Sequence, residues 1–532
     1  MSERDKSRDG CWNRLESFLL SNILIRPLWE AVNGTKWLGD LANKFIINRA
    51  VLKTKPRPHQ FSALADYTSW SSLTDRSWSG RHLGPVVNEG HPDINDVLAL
   101  FQMPEGGSQT MSEKSTLLFA SFAQWFTDGF LMTDNDNRRK NKSNHQIDLN
   151  PLYGLTPDVT DQLRLKSEEK DLKGRLKSIV HNGEEFAHTL FEPDTLNRKA
   201  EFSAVPEPLN MRRQKDLPFT QTNTIFAFGG DRANTTPITS ALNTLFLREH
   251  NKVAGIIETA NPSWDDGRVF ETARNVMIVL LIQTVVEDYI NHISPYWFKL
   301  RANPKVSWRA RWNRPNWIAI EFNLLYRWHG FVPENFSFNG RDVPVNKFIL
   351  DNSLLSSNGL ALMIDQASRQ KAGALGLFNT VSRLHLVEKR SIEQGRENQL
   401  ASYNDYREAM KFPRVTRFEQ ISGDPQVVEG LRKVYGDVDK IEFFVGLFAE
   451  ESRKRSAVPS LIGRMVALDA FSQALSNPLL SENVFNETTF SPVGMKIIEK
   501  TRSLRDIAAR NVHPPDDFLV SFDQAKDNTS TN

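Results

Sequence analysis

The segment EFNLLYRWH, residues 321–329, contains two side chains that can carry redox chemistry. On a helix, Tyr326 and His329 would share one face with Phe322 and Leu325, since these residues are three and four positions apart. A histidine held at a helix end can bind haem iron as its proximal ligand, and a tyrosine one turn away could be oxidised by that haem. The spacing therefore predicts one helix that carries both residues and stops at the Gly-Phe-Val-Pro that follows. The same pattern is also typical of two ordinary core residues.

The longer stretch EFNLLYRWHGFVPENF, residues 321–336, closely resembles the segment of prostaglandin-endoperoxide synthases (cyclooxygenases) that carries the radical tyrosine and the proximal haem histidine. The likeness continues along the chain in ADYTSW (65–70), LFLREHNKVA (245–254), VVEDYINHISPYWFKL (285–300), YNDYREAMKF (403–412), YGDVDKIEFF (435–444) and NPLLSENVF (477–485). It implies a mainly α fold, a large single-domain animal-type haem peroxidase with very little β structure. By this resemblance Tyr326 carries the radical, and His329 binds the iron of one haem b per chain.

The resemblance also suggests roles for residues around this pair. Tyr289 falls where a tyrosine hydrogen-bonds the radical one, and Tyr296 aligns with the tyrosine at the mouth of the substrate channel. Channel-lining positions correspond to Ile290, Ile293, Ser294 and, after a gap, Ser472. Such a channel would hold a polyunsaturated fatty acid. Removal of its doubly allylic hydrogen needs a strong one-electron oxidant, and the acid would meet O2 away from the haem.

The distal side departs from the family pattern. AQWFTDGFLMTD, residues 123–134, resembles the distal helix, and Gln124 matches the glutamine over the haem. Asp128 stands four residues later, where the family has its distal histidine, so both side chains should face the haem. A carboxylate with an ordinary pKa of about 4 is a weaker base than imidazole unless burial raises the pKa. The sequence therefore predicts weak peroxidase activity, and a non-catalytic haem- or lipid-binding relative is the alternative.

The cation that would bind the fatty-acid carboxylate is not fixed by the resemblance. Arg49 and Lys53 are both near the aligned position. Either could bind a carboxylate at the channel mouth, or extend its stem along an amphipathic helix and contact water.

Residues 1–58 differ in pattern from the rest. Apolar residues recur among a few charges between Trp12 and Leu52, which is typical of short amphipathic helices, and KTKPRP at 53–58 is a Pro-punctuated connector. We therefore expect an N-terminal segment 1–58 and a catalytic domain 59–532. The apolar faces could pack on that domain, or lie in a membrane interface and admit lipid. Apolar residues at three- and four-residue steps over 269–285 predict a long buried helix.

Composition narrows the classes of function. Lys and Arg total 66 and Asp and Glu total 64, so no global field attracts nucleic acid. The single cysteine, Cys11, excludes a disulfide framework and a Cys-based metal site. No signal-peptide pattern and no run of about 18 apolar residues is evident. We expect an intracellular protein, soluble or peripherally membrane-bound, that resembles lean algal cyclooxygenases without the growth-factor-like module. The sequence leaves open whether the protein forms a homodimer.

The predicted function is a haem-dependent fatty-acid dioxygenase that uses a tyrosyl radical and O2. Arachidonate is the expected acid and a prostaglandin endoperoxide the expected product. The alternatives are a fatty-acid α-dioxygenase or linoleate dioxygenase, which gives a hydroperoxide without ring closure, and a catalytically impaired relative.

Overall fold

Helices dominate the computed structural model, which describes residues 11–52, 64–87, 90–209, 219–453, 455–513 and 517–524. Its α-helices are α1 (Cys11–Ser21), α2 (Arg26–Gly34), α3 (Lys36–Leu52), α4 (Trp70–Thr74), α5 (Ile94–Ala99), α6 (Leu117–Asp128), α7 (Asn150–Tyr153), α8 (Pro157–Leu163), α9 (Phe219–Thr222), α10 (Pro237–Ala260), α11 (Asp266–Thr284), α12 (Ile290–Ile293), α13 (Ile320–Leu325), α14 (Val345–Phe348), α15 (Ser353–Asn358), α16 (Leu360–Arg369), α17 (His385–Glu397), α18 (Tyr403–Ala409), α19 (Pro425–Tyr435), α20 (Phe443–Ala449), α21 (Ser460–Leu475), α22 (Glu487–Lys500) and α23 (Leu504–Asn511). The expected mainly α fold is confirmed.

The strands in the described part of the chain are short and form three antiparallel pairs. They are β1 (Met111–Thr116) with β6 (Lys371–Gly373), β2 (Ile179–His181) with β3 (Glu184–Phe186), and β4 (Asn335–Phe338) with β5 (Arg341–Pro344). The first pair lies at the start of α6, whose N-terminus is capped by Thr116. The pairing therefore fixes where that helix begins.

Two long helices form the centre of the fold. Helix α10 starts after Thr236, whose side chain accepts a hydrogen bond from the backbone of Thr239, and Pro237 occupies its first turn. Helix α11 is apolar on nearly all sides, as expected for a helix inside the core of a large protein. It packs against α10 and α22. The long buried helix expected over 269–285 is confirmed.

Helix α11 continues through a π-helical turn, Val285–Tyr289, into α12. Within the described residues, the continuous segment Asp266–Ile293 is the one helix that is long and apolar enough to cross a membrane. However, 83% of its most apolar stretch is buried inside the protein, which is the environment of a core helix.

The N-terminal helices pack on the rest of the chain through a narrow face. Helix α3 buries Gly39, Asn43, Ile47 and Val51, which are four residues apart, and the Asn43 amide donates to the Arg301 carbonyl at 2.9 Å. The large exposed apolar side chains of α1–α3 and their connection, here called the N-terminal apolar face, are Leu15, Phe18, Leu19, Ile23, Leu24, Leu28, Trp37, Leu41, Phe45 and Leu52. Their exposed fractions range from 46% for Leu19 to 81% for Leu24. The expected boundary at residue 58 lies outside the described residues.

Candidate active site

Tyr326 and His329 do not lie on one continuous helix. Helix α13 ends at Leu325, and His329 begins a separate 3-10 helix, His329–Phe331. Between them the Trp328 backbone N–H donates to the Tyr326 carbonyl at 2.9 Å. The Trp328 ring stacks on the Tyr326 ring with 4.7 Å between centroids. The expectation of a helix through His329 was wrong, because this tight turn and ring stack replace the next helical hydrogen bonds.

The Tyr326 side chain is buried against other aromatic rings. Phe322 contacts it edge-on with 5.1 Å between centroids, one turn earlier in α13. Burial raises the pKa of Tyr326, and the nearby Tyr289 hydroxyl acts in the opposite direction as a hydrogen-bond donor. Neither hydroxyl has a partner in strict hydrogen-bond geometry within the described residues, although each influences the pKa of the other. Tyr326 is therefore a neutral phenol, and its oxidation must release the proton together with the electron.

Tyr289 sits at the end of the π-helical turn that interrupts the long core helix. Such turns are frequent at functional sites because the extra residue re-aims a side chain. Its ring stacks on Phe119 of α6 at 5.2 Å and on Trp328 at 6.4 Å between centroids. Tyr289 thus joins the distal helix α6 to the turn that holds Tyr326.

Helix α6 directs one stripe of residues away from the core. Its other described residues are buried, whereas Ala120, Gln124 and Asp128, spaced four apart, are partly exposed. Asp128 Oδ1 lies 3.3 Å from Arg232 Nη1. Burial raises the pKa of the Asp128 carboxyl to about 6, although Arg232 lowers it in part. The carboxyl is therefore a stronger base than an exposed aspartate.

His329 is held by a carboxylate from a distant helix. Its Nδ1 atom lies 3.1 Å from Oε2 of Glu388 on α17, and the Glu388 side chain is only 2% exposed. A carboxylate on one ring nitrogen fixes the tautomer and leaves the other nitrogen available for a metal. The Nδ1 atom of His329 thus has a buried carboxylate beside it, at a distance of 3.1 Å.

The polar groups at this site fit a haem. Burial lowers the pKa of Arg327, and the carboxylates of Asp128, on α6, and Glu388, beside His329, act in the opposite direction. Buried polar atoms without a hydrogen-bond partner in the described part of the chain include one on each of these residues: Asp128 Oδ2, Arg327 Nε, His329 Nδ1 and Glu388 Oε2. Burial of so many unpaired groups is costly unless a further polar group faces them. His329 would bind the iron, and the polar residues of α6 would contribute hydrogen-bonding groups to the same site.

A pocket lies beyond Tyr289, although Tyr289 and Tyr326 are not among its lining residues. Its wall includes Ile290, Ile293, Ser294 and Tyr296, four residues expected to line a substrate channel. Phe471 of α21 and Ile46 of α3 contribute further apolar surface. The largely apolar lining suits an apolar ligand.

Ser472, also expected in the channel, does not line this pocket. Its side chain is fully buried, and its hydroxyl donates to the Asp469 carbonyl at 3.1 Å within α21. The Asn316 amide lies 3.4 Å from the same hydroxyl. The neighbouring residue Phe471 faces the pocket instead, because consecutive residues of a helix point in different directions.

Besides Arg49 and Lys53, a third cation, Arg464, is a candidate for binding the substrate carboxylate. Arg49 is 42% exposed and lies 3.4 Å from Glu16, and Lys53 lies outside the described residues. Arg464 of α21 lines the pocket, and its buried Nη1 atom has no hydrogen-bond partner among the described residues. The guanidinium stands 5.1 Å from the Phe412 ring centroid. The Nη2 atom of Arg464 donates to Asn13 Oδ1 at 3.4 Å, and the Glu16 carboxylate, which also lines the pocket, raises the Arg464 pKa against the effect of burial.

The family model described as animal haem peroxidase matches residues 101–519. The chain belongs to this family. Prostaglandin G/H synthase 2 of Equus caballus is 30% identical over 505 residues, which cover 92% of this chain and 79% of that protein. Prostaglandin G/H synthase 1 of Rattus norvegicus is 29% identical over 507 residues, with coverage of 91% and 79%. The chain is thus a cyclooxygenase-type haem peroxidase and an oxidoreductase that binds haem, as the resemblance implied.

Solved structures share the fold of this cyclooxygenase-type protein. Fatty acid alpha-dioxygenase of Oryza sativa, crystallised with palmitic acid, matches with a TM-score of 0.66 at 19% identity, covering 81% of this chain and 80% of that one. Peroxidase A from Dictyostelium discoideum matches with a TM-score of 0.64 at 17% identity, covering 89% and 97%. At these identities the similarity concerns the fold alone.

Sequence reasoning missed three charged residues of this haem peroxidase. Arg232 precedes α10 in GGDRANTTP, Glu388 lies in the charged helix HLVEKRSIEQ, and Arg464 follows a glycine in α21. Arg232 and Glu388 have polar neighbours in sequence, which is typical of a solvated charge, whereas Arg464 lies in the apolar run LIGRMVAL, a signal that could have marked it as a buried cation. Only the tertiary structure brings each one to its partner.

Proposed function

We propose that this cyclooxygenase-type enzyme is a haem-dependent dioxygenase of polyunsaturated fatty acids, with arachidonate as substrate and a prostaglandin endoperoxide as product. One arrangement supports the proposal most directly: Tyr289 is next to Tyr326, and the residues that follow it, Ile290 and Ile293, line the apolar pocket. A radical on Tyr326 would therefore be close to a chamber that is distinct from the His329 side. Haem, when bound, supplies the one-electron oxidising power.

Tyr326 performs the hydrogen transfers. The buried phenol loses one electron and its hydroxyl proton, and the phenoxyl radical then takes a hydrogen atom from the CH2 group between two double bonds. The resulting carbon radical adds O2, closes the rings and adds a second O2. The final peroxyl radical takes the hydrogen atom back from Tyr326, so one acid and two O2 give one hydroperoxy endoperoxide. Tyr289 holds the phenol ring in position during this cycle.

Arg464 is the proposed anchor for the substrate carboxylate. Arg464 lines the pocket, its Nη1 atom has no hydrogen-bond partner among the described residues, and Tyr296 is close enough to influence the Arg464 pKa. A hydrogen bond between a guanidinium and a carboxylate is charge-assisted and stronger than a neutral one. The carboxylate would bind at this end, and the apolar tail would extend along Ile290 and Ile293.

A weak peroxidase activity is assigned to residues on and near α6. Asp128 would accept the proton of a peroxide and return it to the departing oxygen, a general acid–base role that works best when the pKa is near the ambient pH. Gln124 and Arg232 would orient the peroxide as hydrogen-bond donors. The raised pKa of Asp128 favours this role.

The N-terminal apolar face is the proposed contact with a membrane surface. Helix α3 exposes Trp37, Leu41 and Phe45 on one side, and its residues Ile46 and Ala50 line the pocket. An amphipathic helix with an aromatic and aliphatic face lies in the plane of a lipid interface. A fatty acid could then pass from the membrane into the pocket along one helix.

A second dioxygenase function is the alternative. The fold also matches a fatty acid alpha-dioxygenase with a TM-score of 0.66. In such a reaction, or in a linoleate dioxygenase, the Tyr326 radical removes one hydrogen atom and one O2 gives a hydroperoxide without ring closure. The shape of the pocket beyond Ile293 decides between these outcomes.

Oxygen uptake by the haem-loaded protein tests the proposal. The protein is supplied separately with arachidonate, linoleate and palmitate, and the O2 consumed per acid is compared with the products identified by mass spectrometry. Two O2 per arachidonate and a cyclic product support the endoperoxide synthase. One O2 per acid and a linear hydroperoxide support the alternative. No uptake with any acid, while haem is bound, would refute both.

A further inference from the structure

Glu388 is placed as a strong partner for the imidazole of His329. Its Oε2 atom lies 3.1 Å from His329 Nδ1, although the ring is not aligned for a strict hydrogen bond. Its other oxygen, Oε1, accepts a hydrogen bond from the Thr380 hydroxyl at 2.9 Å. One carboxylate oxygen therefore accepts a hydrogen bond, and the other lies within 3.1 Å of the imidazole.

Glu388 lies near the N-terminus of its helix. It lies in the first turn of α17, where the positive end of the helix dipole stabilises a negative charge. The side chain is only 2% exposed, so water screens its interaction with His329 very little. A buried carboxylate in such a position acts mainly on the groups it contacts.

We infer that Glu388 is a positioning residue that accepts the Nδ1–H of His329 and increases electron donation by this histidine to haem iron. A carboxylate on a ligating imidazole fixes the tautomer, with Nε2 toward the metal, and raises the basicity of the ligand. A more basic ligand stabilises the ferric over the ferrous state, so the reduction potential of the iron falls. This inference rests on the proposed assignment of His329 as the iron ligand.

Such a partner would complement the aspartate of α6. Cleavage of a peroxide oxygen–oxygen bond is helped by a proton-transfer group on one side and by electron donation from the axial ligand on the other. Asp128 offers a weaker base than imidazole even with its pKa near 6. Stronger donation through His329 would compensate for it.

The test compares haem-loaded full-length variants by ferric/ferrous midpoint potential and by absorption and electron paramagnetic resonance spectra. Glu388→Gln keeps the size of the side chain but loses the charge, so the potential should shift upward and haem affinity should fall by about 10- to 100-fold. The midpoint potential of Glu388→Asp should lie between those of the native protein and Glu388→Gln. Thr380→Val removes a donor from Oε1 and makes the carboxylate a stronger acceptor, so the potential should shift downward.

The outcomes separate this inference from the assignment of the ligand. His329→Ala should lose the native spectrum; if it keeps that spectrum, His329 is not the ligand and the proposed function is wrong at its centre. If His329→Ala behaves as expected but Glu388→Gln keeps the native potential with haem bound, the inference about Glu388 is overturned. Should Glu388→Gln fail to fold, the sign of the Thr380→Val shift decides, and no shift in that variant also overturns the inference.

Discussion

The Asp128 carboxylate and the Arg232 guanidinium lie 3.3 Å apart at the C-terminal end of α6. Burial raises the pKa of Asp128 to about 6. Because only the deprotonated carboxylate can accept a proton from peroxide, peroxidase kcat/KM should rise as the pH increases through about 6 and level off above it. This rise is the acidic limb of the pH profile, and it is measured by the peroxide-dependent oxidation of a reducing dye at a series of pH values.

Substitutions at Asp128 give the matching change in rate. Asp128→Asn cannot accept a proton, so peroxidase turnover should fall by about 10²- to 10⁴-fold and the limb should disappear. Asp128→His should raise turnover above that of the native protein. Asp231→Asn is the control: it removes a nearby charge that raises the Asp128 pKa, so the limb should only move to lower pH. Unchanged turnover in both Asp128 variants would show that this residue does not face the peroxide.

Tyr326→Phe should abolish oxygen uptake with fatty acids and preserve peroxidase activity. The phenylalanine fills the same space against Phe322 and Trp328 but has no hydroxyl hydrogen to exchange. Oxygen electrode traces and peroxidase assays on the same haem-loaded sample measure the two activities. Tyr289→Phe is the control, because it removes only the neighbouring hydroxyl and should slow oxygen uptake without ending it. Persistent uptake in Tyr326→Phe would contradict the radical mechanism.

Features set by local spacing could be predicted from the sequence, and contacts across the fold could not. The stripe of Gln124 and Asp128 on α6 follows from helix geometry over four residues. The end of α13 at Leu325 depends on stacking of Trp328 on Tyr326, a contact that helical periodicity does not contain. The sequence-based prediction therefore placed the end of this helix at His329 instead of Leu325.

The charged partners were missed for a related reason. Arg232 is 104 residues from Asp128 in the sequence, so no local pattern connects the two. Without tertiary information, each charge is more plausibly assigned to a solvated surface. For the N-terminal helices, periodicity located the apolar faces, but it could not show whether another element covers those faces.

Arg464→Gln should weaken binding of fatty acids. Loss of a hydrogen bond to a charged group costs about 1.5–3 kcal/mol, which corresponds to an increase in KM of about 10- to 150-fold with a smaller change in kcat. The methyl ester of the same acid lacks the carboxylate, so its KM should differ little between the two proteins. Arg49→Gln is the matched control, because Arg49 pairs with Glu16 and does not line the pocket. A larger effect of Arg49→Gln would move the anchor to that residue.

Replacement of Trp37, Leu41 and Phe45 by serine should detach the protein from lipid vesicles. The three side chains stand four residues apart on the outer face of α3 and are each more than 60% exposed. Burial of each in a lipid interface would contribute about 1.5–3 kcal/mol, so vesicle binding should fall by well over about 100-fold in the triple variant. Sedimentation with phosphatidylcholine–phosphatidylserine vesicles measures the affinity, and circular dichroism checks the fold.

Val180→Ser is the control variant. It removes an apolar side chain that is 77% exposed on the β2–β3 hairpin, and it should bind vesicles like the native protein. Oxygen uptake should slow when the acid is supplied in vesicles but not when it is supplied in detergent. Equal vesicle binding by the triple variant and Val180→Ser would show that the N-terminal apolar face is not the membrane contact.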